Sequence, residues 1–522
     1  MKKFCLFLPA LIVILLIYPL GINTNVTSNT WTADEVDPPG PGMFMEDVSE
    51  GFVRSTPVRP HQIFYSMMTN LVYVPYIWAR TSELPPYNFN KFDDQCPELK
   101  SELIIISRAM NILAAILIIF LLYNIILLLC GNLFVASFIA LSGALNVNLM
   151  FQSSVIFYEN WSLLWVFLSV LSFIKLWTDK QRSFVYLLYF VILGLLAVST
   201  HERMGGYFVF TFPAAYCRFW MISREEKRSV GSILGLIAIS LMTGLLVFCL
   251  ANSCFNSGFK PVWEYFSYKY SRSVNFTSER LHSMIGMLYI LIRCNLHAFW
   301  LIFWNLAGVI PLVALLGVRK IFKAKFWLGI TLLLFPIGYQ IMSIDLPGWT
   351  SGRYILGQTI FTTLFAGFGF LHLIEKTDPR KQKIARTLMI LSVSFQLIFA
   401  FLVKFADTYY YPRRIIESIA KNNPHKKIGI RGFGSLPREW LNIYGAELVS
   451  IPENQKPAAG FDIVISKFSE SYDRDNDKAS IRKPPGWLIF LVRRQCYLYS
   501  QGLETICIYN RKRTKTYDTK KI

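Results

Sequence analysis

Residues 105–129 read IISRAMNILAAILIIFLLYNIILLL, an almost unbroken apolar run. About 20 apolar residues are enough for a helix to cross the roughly 30 Å of hydrocarbon in a bilayer. Similar runs recur, since 53% of the 522 residues are hydrophobic and only 16% are charged, whereas soluble domains carry about 25% charged residues. The mean hydropathy is +0.40. The composition therefore predicts an all-α polytopic membrane protein.

The first apolar run follows Lys2 and Lys3 and extends to Ile22. It resembles a signal peptide, but it is long and lacks a small-x-small cleavage motif, so we interpret it as an uncleaved first span. Ten further spans are predicted at 105–129, 131–150, 159–177, 183–200, 205–222, 230–252, 298–318, 326–344, 354–374 and 387–406. The sequence thus predicts about eleven transmembrane helices.

Lysine and arginine cluster in alternate connections between these spans, as in Arg319 to Lys325 and Lys376 to Arg386. The positive-inside rule places those connections, with Lys2 and Lys3, in the cytoplasm. The apolar segment 283–299 contains Arg293 and His297, and we interpret it as a helix at the outer interface. We attribute the net charge of +20 to membrane orientation and anionic lipids, and not to nucleic acid.

Two domains are predicted. Residues 1–407 form the transmembrane domain, with a long first outer loop at 23–104, and residues 408–522 form a small extracytoplasmic α/β domain. In the latter we expect a helix at 437–445 and strands at 427–430, 448–451, 461–466, 487–492, 496–500 and 505–509. A two-residue hairpin at Gln501-Gly502 would place Cys496 opposite Cys507, and whether the two are bridged stays open.

Several polar and charged residues that could form one site flank the predicted spans on the outer side. They are Asp34, Glu35, Glu159, His201, Glu202, Arg203, Arg353 and Tyr354. Arginine keeps its charge and suits a phosphate, and a carboxylate can act as a base or as a metal ligand. The chain has no GxSxG, Walker A or CxxC motif, so no motif supports a serine hydrolase, a P-loop ATPase or a zinc site.

Each of these residues also has a purely structural interpretation. Asp34 and Glu35 could be solvated loop acids, and Glu159 could stabilise the N-terminus of a helix through the macrodipole. His201 and Glu202 could be polar turn residues. Arg353 could anchor its helix at the interface. The sequence leaves these alternatives open.

This pattern resembles the glycosyltransferase C superfamily, and within it the protein O-mannosyltransferases and the aminoarabinose transferases of lipid A. Those enzymes carry an acidic pair in the first outer loop, an acid at the outer end of a later span, a basic residue in a following outer turn and an Arg-Tyr pair near a late span. The corresponding residues of this chain are Asp34-Glu35, Glu159, Arg203 and Arg353-Tyr354.

The resemblance implies an inverting glycosyltransferase of the inner (plasma) membrane, with its active site on the extracytoplasmic face. A polyprenyl-phosphate-linked sugar would be the donor, and a glycan, lipid or protein would be the acceptor. Asp34 or Glu35 would act as the catalytic base. The remaining residues would bind substrate, and the leaving phosphate would be held by arginine, with or without a divalent metal ion.

Two other functions remain open. One is a lipid-linked glycan flippase or transporter, against which the sequence shows neither paired broken helices nor an internal repeat. The other is a glycan polymerase or ligase, which joins preassembled oligosaccharides.

The predicted topology can be tested with a reporter that is active only in the cytoplasm. Fused after Ile522, it should be inactive, because an odd number of spans places the two termini on opposite sides. The same reporter inserted after Arg228, in a predicted cytoplasmic connection, should be active. Activity at Ile522 would show that the number of spans is even.

Overall fold

We describe the protein from a computed structural model. The residues it describes are 6–20, 60–83, 97–153, 158–252, 254, 264, 284–306, 308–342, 355–375, 379–410, 412–431, 442–451, 461–466, 477–482 and 506–511. They belong to two compact units, a helical unit that ends at Ala400 and an α/β unit that begins at Phe401.

The helical unit is built for a membrane. Among the described residues, six helices are long and apolar enough to cross a bilayer, or up to eight if each of two bent helix pairs counts as one span. The helices are α1 (Leu8–Ile17), α2 (Pro60–Thr81), α3 (Pro97–Cys130), α4 (Leu133–Ala144), α5 (Val147–Ser153), α6 (Glu159–Thr178), α7 (Ser183–Thr200), α8 (Gly205–Phe208), α9 (Thr211–Glu225), α10 (Val230–Ala251), α11 (Met284–Asn305), α12 (Val309–Ala324), α13 (Phe326–Met342), α14 (Leu356–Ile374) and α15 (Pro379–Tyr410). A mostly helical, multi-pass membrane fold is therefore confirmed.

Several predicted spans correspond to one helix each, and others do not. The six long apolar helices are α3, α6, α7, α10, α14 and α15, and each overlaps a predicted span. The first and ninth predicted spans contain the shorter apolar helices α1 and α13. The predicted span 205–222 is divided into α8 and α9, which are separated at Val209 and Phe210. The total of eleven spans stays a prediction.

The predicted span 131–150 is broken between α4 and α5, whose axes differ by 57°. Asn146 lies at the break and is fully buried. Its Oδ1 accepts hydrogen bonds from the backbone N–H groups of Asn148 (3.0 Å) and Leu149 (3.3 Å), and its Nδ2 donates to Oγ1 of Thr359 on α14 (2.8 Å). Asn146 thus caps the start of α5 and ties the break to another helix.

A second break lies between α11 and α12, where the helices meet at 110°. The sequence predicted an interfacial helix at 283–299 and a continuous span at 298–318. That boundary is wrong, because a single helix, α11, runs from Met284 to Asn305. The break comes at Gly308, whose φ is +72° and whose N–H donates to the carbonyl of Phe303 (2.7 Å). Glycine adopts this left-handed conformation without steric cost.

Helices α12 and α14 pack with their backbones in close contact. A Cβ atom at Gly317 would overlap the carbonyl oxygen of Phe365, and one at Gly369 would overlap that of Val313. Small residues allow such close approach between helices in membranes, where the hydrophobic effect does not drive helix association. The α12–α14 contact therefore depends on two glycines that face each other's helix.

The α/β unit contains one further helix, α16 (Pro412–Asn422), and a mixed sheet in the order β2-β3-β1-β4-β6-β5. The strands are β1 (Lys427–Arg431), β2 (Asn442–Ile443), β3 (Ala446–Ile451), β4 (Ile463–Ser466), β5 (Asp477–Arg482) and β6 (Ile506–Arg511). Strand β1 pairs in parallel with β3 and β4. Ile416 of α16 packs on Ile428, Ile430, Leu448 and Ile465 of these strands, which forms the core.

The sequence predicted β1, β3, β4 and β6 but missed α16 and β5. The helix predicted at 437–445 is wrong over its described part, because Asn442–Ile443 is a strand and Tyr444 and Gly445 form a two-residue hairpin turn with φ of 51° and 75°. A hydrogen bond from the Tyr444 hydroxyl to Glu417 (2.8 Å), together with partial burial, raises the pKa of Tyr444 to about 12.

The hairpin predicted around Gln501-Gly502 is also wrong. Cys507 lies on β6, between Ser466 of β4 and Ile481 of β5 in the sheet register. Both edges of β6 are therefore occupied, and a strand at 496–500 cannot pair with it. Cys496 and the predicted strands at 487–492 and 496–500 lie outside the described residues, and the register gives no support to a Cys496–Cys507 bridge.

The glycine contact between α12 and α14 predicts a large effect of substitution. Gly317→Leu should destabilise the helical unit by roughly 1–3 kcal/mol or more, because the backbone of Phe365 cannot move away as a flexible side chain could. The measurement is the melting temperature of the purified protein in detergent. Gly235→Ala on α10 is the matched control, since no atom lies within 4 Å of a Cβ at that position and alanine favours a helix by about 1 kcal/mol. Equal melting temperatures for both variants would contradict the contact.

Candidate functional site

Three of the predicted site residues, Glu159, His201 and Arg203, have described side chains. Glu202 lies in the short 3-10 helix Glu202–Met204, and its side chain is outside the described set. Asp34, Glu35, Arg353 and Tyr354 lie outside the described residues altogether, so their roles stay predictions.

Glu159 begins α6 and is buried, with 3% of its surface exposed. The next residue, Asn160, is fully buried and joins three helices. Its Nδ2 donates to the backbone carbonyl of Asn111 on α3 (3.3 Å) and to Oγ of Ser153 at the end of α5 (2.9 Å). The position of Glu159 is therefore fixed by the hydrogen bonds of its neighbour.

His201 lies where α7 ends, in an extended conformation, and is also 3% exposed. Its Nδ1 accepts a hydrogen bond from the backbone N–H of Arg203 (3.1 Å). Its ring packs edge-on against Tyr158, with 4.8 Å between the centroids, and Tyr158 packs in turn against Tyr65 of α2 at 6.1 Å. Because Tyr158 directly precedes Glu159, this contact brings the two predicted site segments together.

The sequence interpretation missed Arg108. It is the only lysine or arginine in the predicted span 105–129, and it is 3% exposed on α3. It lies three residues before Asn111, whose carbonyl receives the amide of Asn160, so Arg108 and Glu159 both lie within one helical turn of the same contact. An ionisable residue inside an apolar span is expensive and is commonly functional, which is the signal that could have identified it.

We call these residues the polar end cluster: Arg108, Asn111, Ser153, Glu159, Asn160 and His201. It combines a buried arginine, a buried acid, an imidazole and amides, which lie within α3 and at the ends of α5, α6 and α7. The carboxylate lies in the first turn of α6, where the helix dipole stabilises negative charge. A solvated helix-capping acid would be exposed, and Glu159 is buried.

The expected divalent metal ion stays a prediction. Within the described ranges, no three His, Cys, Asp or Glu side chains lie close enough to hold a metal ion. The acidic pair Asp34-Glu35, whose carboxylates are the predicted catalytic base, lies outside those ranges.

No protein-family model matches this chain, and no curated protein matches it.

The polar end cluster predicts energetic coupling between Arg108 and Glu159. We expect these two buried charges to compensate each other, so Arg108→Met and Glu159→Met should each destabilise the protein by leaving the other charge buried alone. The double variant should lose less free energy of unfolding than the two single variants lose together, by roughly 0.5–3 kcal/mol. Unfolding in detergent measures all four proteins of the cycle.

The matched control is the exposed pair Arg80 and Glu102, whose charged atoms are 3.5 Å apart. Its coupling should be at most about 1 kcal/mol, because water screens it. Additive effects at Arg108 and Glu159 would show that the two buried charges do not interact.

Proposed function

We propose that this protein is an integral-membrane glycosyltransferase that resembles the glycosyltransferase C superfamily. It moves a sugar from a polyprenyl-phosphate donor to an acceptor on the outer face of the membrane. The polar end cluster carries the proposal, because it gathers a buried acid, a histidine and a buried arginine at the ends of apolar helices. On the predicted topology, those helix ends lie at the outer surface.

In this reaction the acceptor hydroxyl attacks the anomeric carbon of the donor sugar, and the bond from that carbon to the phosphate oxygen breaks. Asp34 or Glu35 takes the hydroxyl proton, and the single displacement of phosphate by the acceptor oxygen inverts the anomeric carbon. Arg203 and Arg353 bind the departing phosphate, with or without a divalent metal ion. Glu159, His201, Glu202 and Tyr354 contribute to substrate binding.

A lipid-linked glycan transporter is the second candidate. The sequence argument against it rested on the apparent lack of paired broken helices, and that argument fails because the α4–α5 and α11–α12 pairs are both bent. Discontinuous helices commonly form the substrate sites of transporters. In this protein one break carries the buried amide of Asn146, which is bonded to Thr359.

The experiment that separates the two functions uses purified protein and a polyprenyl-phosphate hexose labelled in the sugar. With an envelope extract as acceptor, a glycosyltransferase releases unlabelled polyprenyl phosphate and moves the label to the acceptor. A transporter leaves the donor intact and moves it across the bilayer of a reconstituted vesicle. An intact, translocated donor would overturn the proposal, and transfer of preassembled oligosaccharides alone would favour the ligase.

The acidic pair predicts a strong effect on turnover. Asp34→Asn should reduce turnover by about 10²–10⁴-fold, the usual contribution of a general base, without changing expression or melting temperature. Glu35→Gln tests the neighbouring acid, and Glu50→Gln, in the same predicted loop, is the control. If Asp34→Asn and Glu35→Gln both keep near-normal turnover, neither acid is the base.

The arginines predict a loss of donor affinity. Arg353→Ala and Arg203→Ala should each weaken binding of the polyprenyl-phosphate sugar by roughly ten- to a hundredfold, because a charge-assisted contact contributes about 1.5–3 kcal/mol. Arg272→Ala, in the predicted loop 253–297, is the control. The affinities are measured in detergent. If a variant binds the donor as tightly as Arg272→Ala does, the arginine it replaces does not bind the donor phosphate.

A further inference from the structure

Gln152 is a buried amide that the proposed function does not use. It lies on α5 one residue before Ser153 and is fully buried. Neither its Nε2 nor its Oε1 has a hydrogen-bond partner, and among the described side-chain amides Gln152 alone has both atoms in this state. Buried polar atoms are almost always paired, so an amide that lacks both partners requires an explanation.

Gln396 shows how the same side chain is accommodated when its role is structural. It is 1% exposed on α15. Its Nε2 donates to the carbonyl of Ser142 (3.2 Å), and its Oε1 accepts from Oγ of that residue (2.9 Å). Both ends of the Gln396 amide are thus used to join α15 to α4. Gln152 makes no such connection.

Gln152 adjoins the polar end cluster in the sequence. Ser153, the next residue, accepts the amide of Asn160 (2.9 Å), while Oδ1 of Asn160 is buried without a partner in the described structure. The end of α5 and the start of α6 therefore offer an NH₂ group and two amide oxygens. Asn160 directly follows Glu159, the candidate site acid, and Gln152 directly precedes Ser153, which bonds Asn160.

The chemistry of these atoms limits the ligand. A cation would leave the NH₂ group unpaired, an anion would leave the two oxygens unpaired, and an apolar ligand would leave all three unpaired. A hydroxyl group both donates and accepts a hydrogen bond, so a ligand with several adjacent hydroxyls satisfies a mixed set of donors and acceptors. A sugar ring is such a ligand, and ordered water is the alternative occupant.

We propose that Gln152, with Oδ1 of Asn160, binds the hydroxyl groups of a sugar. The inference rests on the proposed function, and it assigns to these residues the sugar of the polyprenyl-phosphate donor. Gln152 is then a specificity-determining residue, which distinguishes the donor from bare polyprenyl phosphate. Its lack of a protein partner is what leaves both of its amide atoms available to the ligand.

The first test compares Gln152→Leu with Gln396→Leu in the absence of ligand, by thermal unfolding in detergent. Leucine has a similar size and no polar atoms. Gln396→Leu should lower the melting temperature, because it removes two hydrogen bonds and leaves the hydroxyl and the backbone carbonyl of Ser142 without these partners. Gln152→Leu should leave the melting temperature unchanged or raise it. A loss as large as that of Gln396→Leu would show a structural role and overturn the inference.

The second test measures binding of two probes, polyprenyl phosphate and polyprenyl-phosphate hexose, to the wild type and to Gln152→Leu. The wild type should prefer the hexosyl lipid. Gln152→Leu should lose about tenfold or more in affinity for the hexosyl lipid, as expected when about 1.4 kcal/mol of interaction is lost. Its affinity for bare polyprenyl phosphate should not change.

The outcomes separate this inference from the proposed function. If the wild type prefers the hexosyl lipid and Gln152→Leu retains that preference, Gln152 binds only water, and the inference fails while the donor class stands. If the wild type binds both lipids equally, no sugar is recognised and the inference fails. If the wild type binds neither lipid, the proposed donor is wrong and the inference fails with it.

Discussion

A polar group at the depth of a bilayer has no bulk water to bond, so it needs a partner from the protein or from a ligand. This constraint governs the architecture of the helical unit. Where the chain breaks between α4 and α5, Asn146 bonds two backbone N–H groups and also reaches Thr359. The break thereby becomes a junction with α14, and Ser153 at the end of α5 bonds Asn160 at the start of α6.

The same constraint applies to the charged residues near that junction. Arg108 and Glu159 are both almost completely buried, and neither could be retained there cheaply in an apolar bundle. Their neighbours Asn111 and Asn160 are bonded to each other across the α3–α6 contact. Neutral hydrogen bonds therefore join the helix segments that carry these two buried residues.

Two features of the helical unit favour different functions. Buried acid, imidazole and arginine groups suit group transfer from a lipid phosphate. Bent helix pairs suit the movement of a solute or lipid headgroup past a fixed site. The two can coexist, because a helix that ends partway through a membrane offers its terminus and its capping side chains to a ligand at the interface. Whether the anomeric bond of the donor is broken decides between them.

The apolar runs and their composition determined that this is a helical membrane protein, because a span of about 20 apolar residues has few alternatives in water or lipid. The sequence also marked Glu159, His201 and Arg203 as candidates, since ionisable residues at helix ends stand out against an apolar background, and their roles stay predictions. It could not reveal the bends at Asn146 and Gly308, because one asparagine or glycine within an apolar run is compatible with a continuous helix.

Nor could the sequence distinguish Gln152 from Gln396. Both are amides in apolar helices, and only the packing of α4, α5, α6 and α15 decides that one is fully bonded and the other is not. Strand β6 shows the same limit, because its turn residues suggested a local hairpin while the sheet placed it between β4 and β5. Composition and periodicity act locally, whereas hydrogen-bond partners that are distant in sequence are chosen only when the helices and strands pack together.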